Sequence, residues 1–185
     1  LAENADHPLS MPDDTPLEET RTRARLSGWD WALLLIVVAL AAVPRLTRLN
    51  LAEFKLDEAK HYRMAYDLLR GAWRWTGSTA SVGFPKPPLF VYALALPLAV
   101  VRDPRIVTGF LGALASLAAG GTYALLRRRM GWKAAFGAAL LFAFNPQAVL
   151  YGRKLFTADL LPPLSALFLW ASLSFLDAPE ARAWR

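Results

Sequence analysis

The sequence predicts an all-α, polytopic membrane protein. Of its 185 residues, 55% are hydrophobic and 19% are charged, and the mean hydropathy is +0.28. A soluble domain is typically about 45–50% apolar and about 25% charged. The apolar residues also form blocks long enough to cross a bilayer. The net charge of +6 requires no nucleic acid, because membrane proteins carry Lys and Arg in their loops. The lack of cysteine excludes disulfides, thiolate zinc sites and cysteine nucleophiles.

Four apolar blocks are predicted to span the membrane as helices, because each approaches the ~20 residues that cross ~30 Å of hydrocarbon. They cover residues 26–46, 106–126, 134–152 and 160–176. The pair Asn145-Pro146 is expected to kink the third span. A fifth apolar stretch, residues 87–101, is shorter and contains three prolines, so it is predicted to lie in the outer interface as a short helix.

The basic clusters orient these spans. With four spans, Arg23 and Arg25, residues 127–129, and Arg182 and Arg185 fall on one side, which the positive-inside rule makes the cytoplasm. This predicts a long outside loop over residues 47–105, both ends of the chain in the cytoplasm, and a location in the cell (plasma) membrane. Residues 1–25 are expected to form a disordered cytoplasmic tail, and residues 177–185 the cytoplasmic end of a fragment of a longer protein.

The long outside loop is predicted to begin with an amphipathic helix over residues 57–70. Apolar side chains recur at the i, i+3, i+4, i+7 spacing of one helix face, and Gly71 is a plausible stop. Asp57 and Glu58 lie at the helix start, where anions are favoured and carboxylates stay ionised. Lys60 and His61 share a face with Asp57.

This arrangement suits a general base beside a phosphate-bearing leaving group. The alternative is that Asp57 and Glu58 are ordinary capping residues. Further along, prolines surround Lys86 and hold it in a stiff, extended stretch just before the interfacial helix, where it could meet a phosphate or simply snorkel. Asp159, at the mouth of the fourth span, is either functional or a helix cap. Arg153 and Lys154 stand outside against the positive-inside rule, which indicates an anionic partner such as a lipid phosphate.

The order of these motifs resembles the N-terminal portion of the GT-C superfamily of membrane glycosyltransferases. A first span is followed by Asp57-Glu58 on an amphipathic helix, then by Lys86-Pro87-Pro88-Leu89, and later by Arg153 and Asp159 before another span. The branch it resembles most contains the protein mannosyltransferases and the lipid A aminoarabinose transferases, and the likeness extends over residues 26–176.

The resemblance implies an inverting transfer of a hexose or pentose from a polyprenyl-phosphate donor to an acceptor on the extracytoplasmic face. Asp57, completed by Glu58, would be the general base or acceptor-orienting group. Lys60, Lys86 and Arg153 would contact the donor phosphate, while His61 and Asp159 would shape the site. The implied partners are the donor, a lipid, protein or glycan acceptor, and membrane lipids, with no nucleic acid.

The resemblance also leaves other interpretations open. Several relatives carry Glu or His before the lysine, where Pro85 stands here, and His61 is the only candidate ligand besides His7 of the tail, so no metal or other cofactor is expected. Relatives continue for several hundred residues, so the isolated chain is expected to be inactive. An oligosaccharyltransferase-like member would need a metal and more acidic residues. The alternatives from other classes are a non-catalytic membrane protein, a transporter segment or a truncated, inactive fragment.

Overall fold

The computed structural model describes residues 26–176, so the predictions for residues 1–25 and 177–185 lie outside the described residues. The described part is helical and contains no β-strand, which confirms the all-α prediction. The elements are α1 (Gly28–Leu46), a 3-10 turn (Leu49–Leu51), α2 (Leu56–Leu69), α3 (Leu89–Val100), α4 (Pro104–Met130), α5 (Trp132–Phe144), α6 (Pro146–Tyr151), a 3-10 turn (Thr157–Leu160) and α7 (Leu161–Leu176).

Three helical segments of the described part are long and apolar enough to cross a membrane. They are α1, α4 and the segment 157–176, which joins the second 3-10 turn to α7. Their ends have local causes: the Ser27 side chain caps α1, Asp103 caps α4, and Gly131 separates α4 from α5 with a φ of 82°. A positive φ is costly for residues with a Cβ, so glycine suits this sharp turn.

The range 134–152, predicted as the third span, is divided between two helices. Helix α5 ends at Phe144 and α6 begins at Pro146, whose ring cannot continue the hydrogen-bonding pattern of a helix. The Asn145 side chain accepts a hydrogen bond from the backbone NH of Ala148 and so caps α6. The break therefore lies at the expected kink, and whether α5 and α6 together cross the membrane stays a prediction.

Contacts at the two ends of α1 define how the long helices run. At its start, Asp30 binds Arg127 near the end of α4, and at its end, Arg45 donates a hydrogen bond to the carbonyl of Ala143 near the end of α5. Helix α1 is thus antiparallel to α4 and parallel to α5. The core between these three helices consists of Leu33, Val37, Ala41, Ala119, Tyr123, Ala135, Ala139 and Ala143. The alanines of α5 recur every fourth residue, so they form one face on which the backbones can approach closely.

A second core joins α2 and α3 to the end of the bundle at which α1 stops. It contains Met64 and Ala65 of α2, five residues of α3, the first two turns of α4, and Leu155 and Leu160. Among the residues that the structure describes, Val107 and Leu111 near the beginning of α4 share this core with α3. The bounds of α2 and α3 lie within one or two residues of the predicted ranges 57–70 and 87–101. Their position in the outer interface stays a prediction.

Candidate functional site

The first turn of α2 separates the two carboxylates that the sequence places side by side. Glu58 is buried, and its Oε2 accepts a hydrogen bond from the backbone NH of Lys55 at 3.0 Å, which caps the helix. Asp57 is exposed, and within residues 26–176 its carboxylate makes no ion pair or side-chain hydrogen bond. Lys60, one turn later, is also exposed. The capping interpretation therefore describes Glu58, whereas the Asp57 carboxylate is open to a ligand.

His61 connects α2 to the loop that precedes α3. Its ring is 3% exposed and lies edge-on to Phe90, with ring centroids 5.2 Å apart. Its Nε2 lies 2.8 Å from the hydroxyl of Ser78, which is also buried. Burial, and then the positive charge of Lys86, lower the pKa of His61. The imidazole therefore favours its neutral form, and its hydrogen bond to Ser78 anchors the loop to α2.

The loop positions Lys86 by paired backbone hydrogen bonds. The NH of Gly77 donates to the carbonyl of Lys86 at 2.7 Å, and the NH of Lys86 donates to the carbonyl of Ser78 at 3.1 Å. A Cβ on Gly77 would lie 2.7 Å from the carbonyl oxygen of Pro87, so this close approach requires glycine. Lys86 is thus extended, as expected from its proline neighbours, and the loop itself is held through Ser78 by His61.

The Lys86 side chain bridges to the segment between α6 and α7. Its Nζ lies 3.3 Å from Thr157 Oγ1 and 5.5 Å from the centre of the Phe156 ring. Two residues later, Asp159 is 3% exposed, and its Oδ2 accepts a hydrogen bond from the NH of Phe156 at 2.9 Å. Its Oδ1 is buried without a hydrogen-bond partner. Asp159 therefore caps the 3-10 turn with one oxygen and leaves an unsatisfied acceptor with the other, which is costly unless a ligand supplies a donor.

Arg153 is occupied by backbone carbonyls. Its Nη1 donates to the carbonyl of Pro44 at 3.0 Å and its Nη2 to the carbonyl of Arg48 at 2.8 Å. The Pro44 carbonyl lies in the last turn of α1, where backbone acceptors lack helical partners and a cation is favoured. The Arg48 carbonyl begins the first 3-10 turn and also accepts a hydrogen bond from the NH of Leu51. Arg153 thus ties α6 to α1, and a phosphate contact would require it to release these groups.

Lys154 takes part in an ion cluster that sequence reasoning missed. Its Nζ lies 2.5 Å from Glu53 Oε2, and Lys55 binds Glu53 Oε1. The hydrogen bond from Lys154, followed by the one from Lys55, lowers the pKa of Glu53 to about 2. Glu53, with a further contribution from Glu58, raises the pKa of Lys154. The predicted position of Lys154 outside, against the positive-inside rule, was the only sequence signal for this cluster, and it did not indicate Glu53.

The structure thus brings together most of the expected site residues from three separate segments. The start of α2 supplies Glu58 and His61, the loop supplies Lys86, and the segment before α7 supplies Asp159. Asp57 and Lys60 lie on the exposed side of the same first turns of α2. Arg153, which follows α6, stands apart and donates to a carbonyl in the last turn of α1. In the described part of the chain, no group of three or more His, Cys, Asp or Glu could hold a metal ion.

The comparisons with known proteins give one match. Residues 85–185 match the model of the family described as dolichyl-phosphate-mannose-protein mannosyltransferase. The matched range begins one residue before Lys86 and includes Arg153 and Asp159. Searches of the curated proteins and of the solved structures found no match.

Proposed function

Because this chain belongs to the dolichyl-phosphate-mannose-protein mannosyltransferase family, we propose that it transfers a sugar from a polyprenyl-phosphate donor to an acceptor on the extracytoplasmic face. Membership confirms the GT-C resemblance and makes the chain a membrane-embedded glycosyltransferase of that type. The donor, the face of the membrane and inversion at the anomeric carbon are the parts that we propose. The location in the cell membrane with cytoplasmic ends is proposed with them.

The proposal depends mainly on one observation: the loop after α2 and the segment before α7 meet at the Lys86 side chain. An ammonium held by Thr157 and by the loop provides a fixed positive charge at the segment that also carries Asp159, whose buried Oδ1 has no hydrogen-bond partner. Fixed charges of this kind stabilise a leaving phosphate without reorganisation during the reaction. The position of Lys86 directly before α3 is also consistent with a phosphate at headgroup depth, if α3 lies in the interface.

In the proposed reaction, a hydroxyl of the acceptor attacks the anomeric carbon of the donor. Asp57 accepts the hydroxyl proton, the bond between the anomeric carbon and the phosphate oxygen breaks, and the electron pair leaves with the polyprenyl phosphate. Lys86 and Lys60 stabilise the negative charge that develops on that oxygen. A single displacement inverts the anomeric carbon and needs no nucleophilic carboxylate, unlike a retaining hydrolase. Asp159 and His61 shape the site.

We assign Arg153 to positioning rather than to direct phosphate binding. Its guanidinium already donates to two carbonyls at the end of α1, so its contribution is to hold the segment that carries Thr157 and Asp159. The transporter alternative has less support, because a transporter needs unpaired or mobile charges near mid-membrane. The charges of Asp30 and Arg45 lie instead near the two ends of α1 and bind protein groups there.

The test is donor-dependent transfer by the purified full-length protein carrying Lys86→Gln. Losing a charge-assisted phosphate contact worth roughly 1.5–3 kcal/mol should weaken apparent donor affinity by about 10- to 100-fold. Lys133→Gln provides the matched control, because Lys133 lies near the start of α5 at the opposite end of the bundle. Unchanged donor affinity and turnover in Lys86→Gln would contradict the proposed phosphate contact.

A further inference from the structure

A groove opens on the surface where α1 ends. It has a volume of about 710 Å³ and lies between the end of α1, the first 3-10 turn and α6. Its walls are mainly apolar, with Leu51, Phe144, Val149 and Leu150 among them. Because α1 is long and apolar enough to span a membrane, a groove at its end lies at the border between acyl chains and headgroups.

The polar residues of the groove are charged and predominantly basic. Glu53, Arg153 and Lys154 line it, and Lys55 binds Glu53 from outside. Arg153 already donates to backbone carbonyls, whereas Lys154 forms a salt bridge with the Glu53 carboxylate. The Lys154 side chain is 25% exposed and that of Glu53 is 34% exposed, so both remain accessible from the groove.

The ion pair of Lys154 and Glu53 can exchange its anion. This pair is only partly buried, and Glu53 keeps Lys55 as a second partner, so breaking the pair costs less than breaking a fully buried one. A phosphate carries as much charge as a carboxylate, or more, and offers more acceptor oxygens, so it can replace Glu53 on an ammonium group. An amphiphile would at the same time cover the apolar walls with its chain, which a free anion cannot do.

We propose that this groove binds an anionic membrane lipid whose phosphate contacts Lys154. In the empty groove Glu53 neutralises Lys154, and on binding the lipid phosphate displaces the Glu53 carboxylate, which keeps Lys55 as its partner. The acyl chains lie along the apolar wall formed by Leu51, Val149 and Leu150. The proposed contact uses a different lysine from Lys86, and it does not rest on the proposed transfer reaction.

Neutralising Lys154 and neutralising Glu53 should change lipid binding in opposite directions. Native mass spectrometry of the full chain, released from a neutral detergent, can count bound phosphatidic acid against phosphatidylcholine. Lys154→Gln should weaken phosphatidic acid binding about tenfold or more, because a charge-assisted contact is lost. Glu53→Gln should strengthen it by about two- to fivefold, because the internal competitor is removed. Lys133→Gln, a matched neutralisation near the start of α5, should leave it unchanged.

The same experiment contains the results that would overturn the proposal. A purely structural ion pair predicts that Lys154→Gln and Glu53→Gln act alike, either both weakening lipid binding or both leaving it unchanged. Loss of lipid binding in Lys86→Gln but not in Lys154→Gln would show that the lipid phosphate contacts Lys86 and not Lys154. Displacement of phosphatidic acid by millimolar inorganic phosphate alone would show that the apolar groove contributes nothing. Circular dichroism of each variant confirms that the helices are intact, so that each result bears on the site.

Discussion

Replacing His61 with phenylalanine should loosen the loop that carries Lys86. Phenylalanine retains an aromatic ring against Phe90, but it cannot form the 2.8 Å hydrogen bond to the Ser78 hydroxyl. Ser78 also accepts, through its backbone carbonyl, the hydrogen bond from the NH of Lys86. The variant therefore removes the side-chain anchor of the same residue that aligns Lys86.

The cost follows from the burial of both partners. A buried hydrogen bond of this kind contributes about 0.5–1.5 kcal/mol, and leaving the Ser78 hydroxyl buried and unpaired costs about 1–3 kcal/mol. His61→Phe should therefore lower the free energy of unfolding by roughly 1–3 kcal/mol. Ser78→Ala should cost less, and the double variant should be no less stable than His61→Phe alone. The coupling energy of the pair should be about 1 kcal/mol.

The assay is unfolding of the full chain in mixed dodecyl maltoside and sodium dodecyl sulfate micelles, combined with the apparent donor affinity of the same variants. His61→Gln, which can restore a hydrogen-bonding group near Nε2, should recover part of both losses. A merely structural role would lower stability without changing donor affinity. A coupling energy near zero between His61 and Ser78 would refute the idea that His61 holds the loop.

The pH dependence gives a second readout of the same pair. Burial and the charge of Lys86 lower the pKa of His61 below its usual 6.5, against the opposing charge of Asp57. The unfolded chain then binds the proton more readily, so the stability conferred by neutral His61 is present at pH 8 and lost as the pH falls below about 6.5. For one titrating group, the free energy of unfolding can change by at most about 1.4 kcal/mol per pH unit. His61→Phe should flatten this part of the stability profile.

Two further changes test the role of Arg153 and the topology. Arg153→Lys cannot donate to both the Pro44 and the Arg48 carbonyl, so it should lower the free energy of unfolding in detergent by about 1–3 kcal/mol. The same change at the exposed Arg63 should cost almost nothing. Equal effects of the two changes would contradict the positioning role of Arg153. In this cysteine-free chain, S81C should react with an impermeant thiol reagent in intact cells and R128C should not, because the loop is predicted outside and the basic cluster inside. The reverse labelling would show that the predicted orientation is wrong.

The sequence predicted the helices well where periodicity and block length dominate. Helix α2 was predicted from apolar spacing and Gly71, and the structure ends it at Leu69 with a positive φ at Gly71. The break at Asn145-Pro146 was also predictable, because proline acts locally. The family was predictable because the motifs occur in a characteristic order, although each one alone has a structural explanation.

The roles of the arginines could not be predicted in the same way. Arg45 is fully buried and donates to carbonyls of α1 and α5. Arg153 donates to one carbonyl in the last turn of α1 and to one just after it. Both contacts depend on where helix ends meet in three dimensions, and a one-dimensional pattern contains no such information. The partnership of Glu53 with Lys154 was missed for the same reason, because the two residues come from distant parts of the chain. The family resemblance implied that Asp57 and Glu58 act as a pair, whereas their different burial separates them.

The central claim is that the exposed Asp57 carboxylate accepts the proton of the acceptor hydroxyl. The most direct measurement is transfer from a polyprenyl-phosphate sugar by the purified full-length protein carrying Asp57→Asn. The control is Asp67→Asn, which changes a carboxylate at the other end of α2. Asparagine keeps the shape of the side chain and its capacity for hydrogen bonding but cannot accept the proton, so turnover should fall by about 10²- to 10⁴-fold with donor binding retained. Turnover close to wild type in Asp57→Asn would contradict the account and leave Asp57 as an ordinary residue of a helix start.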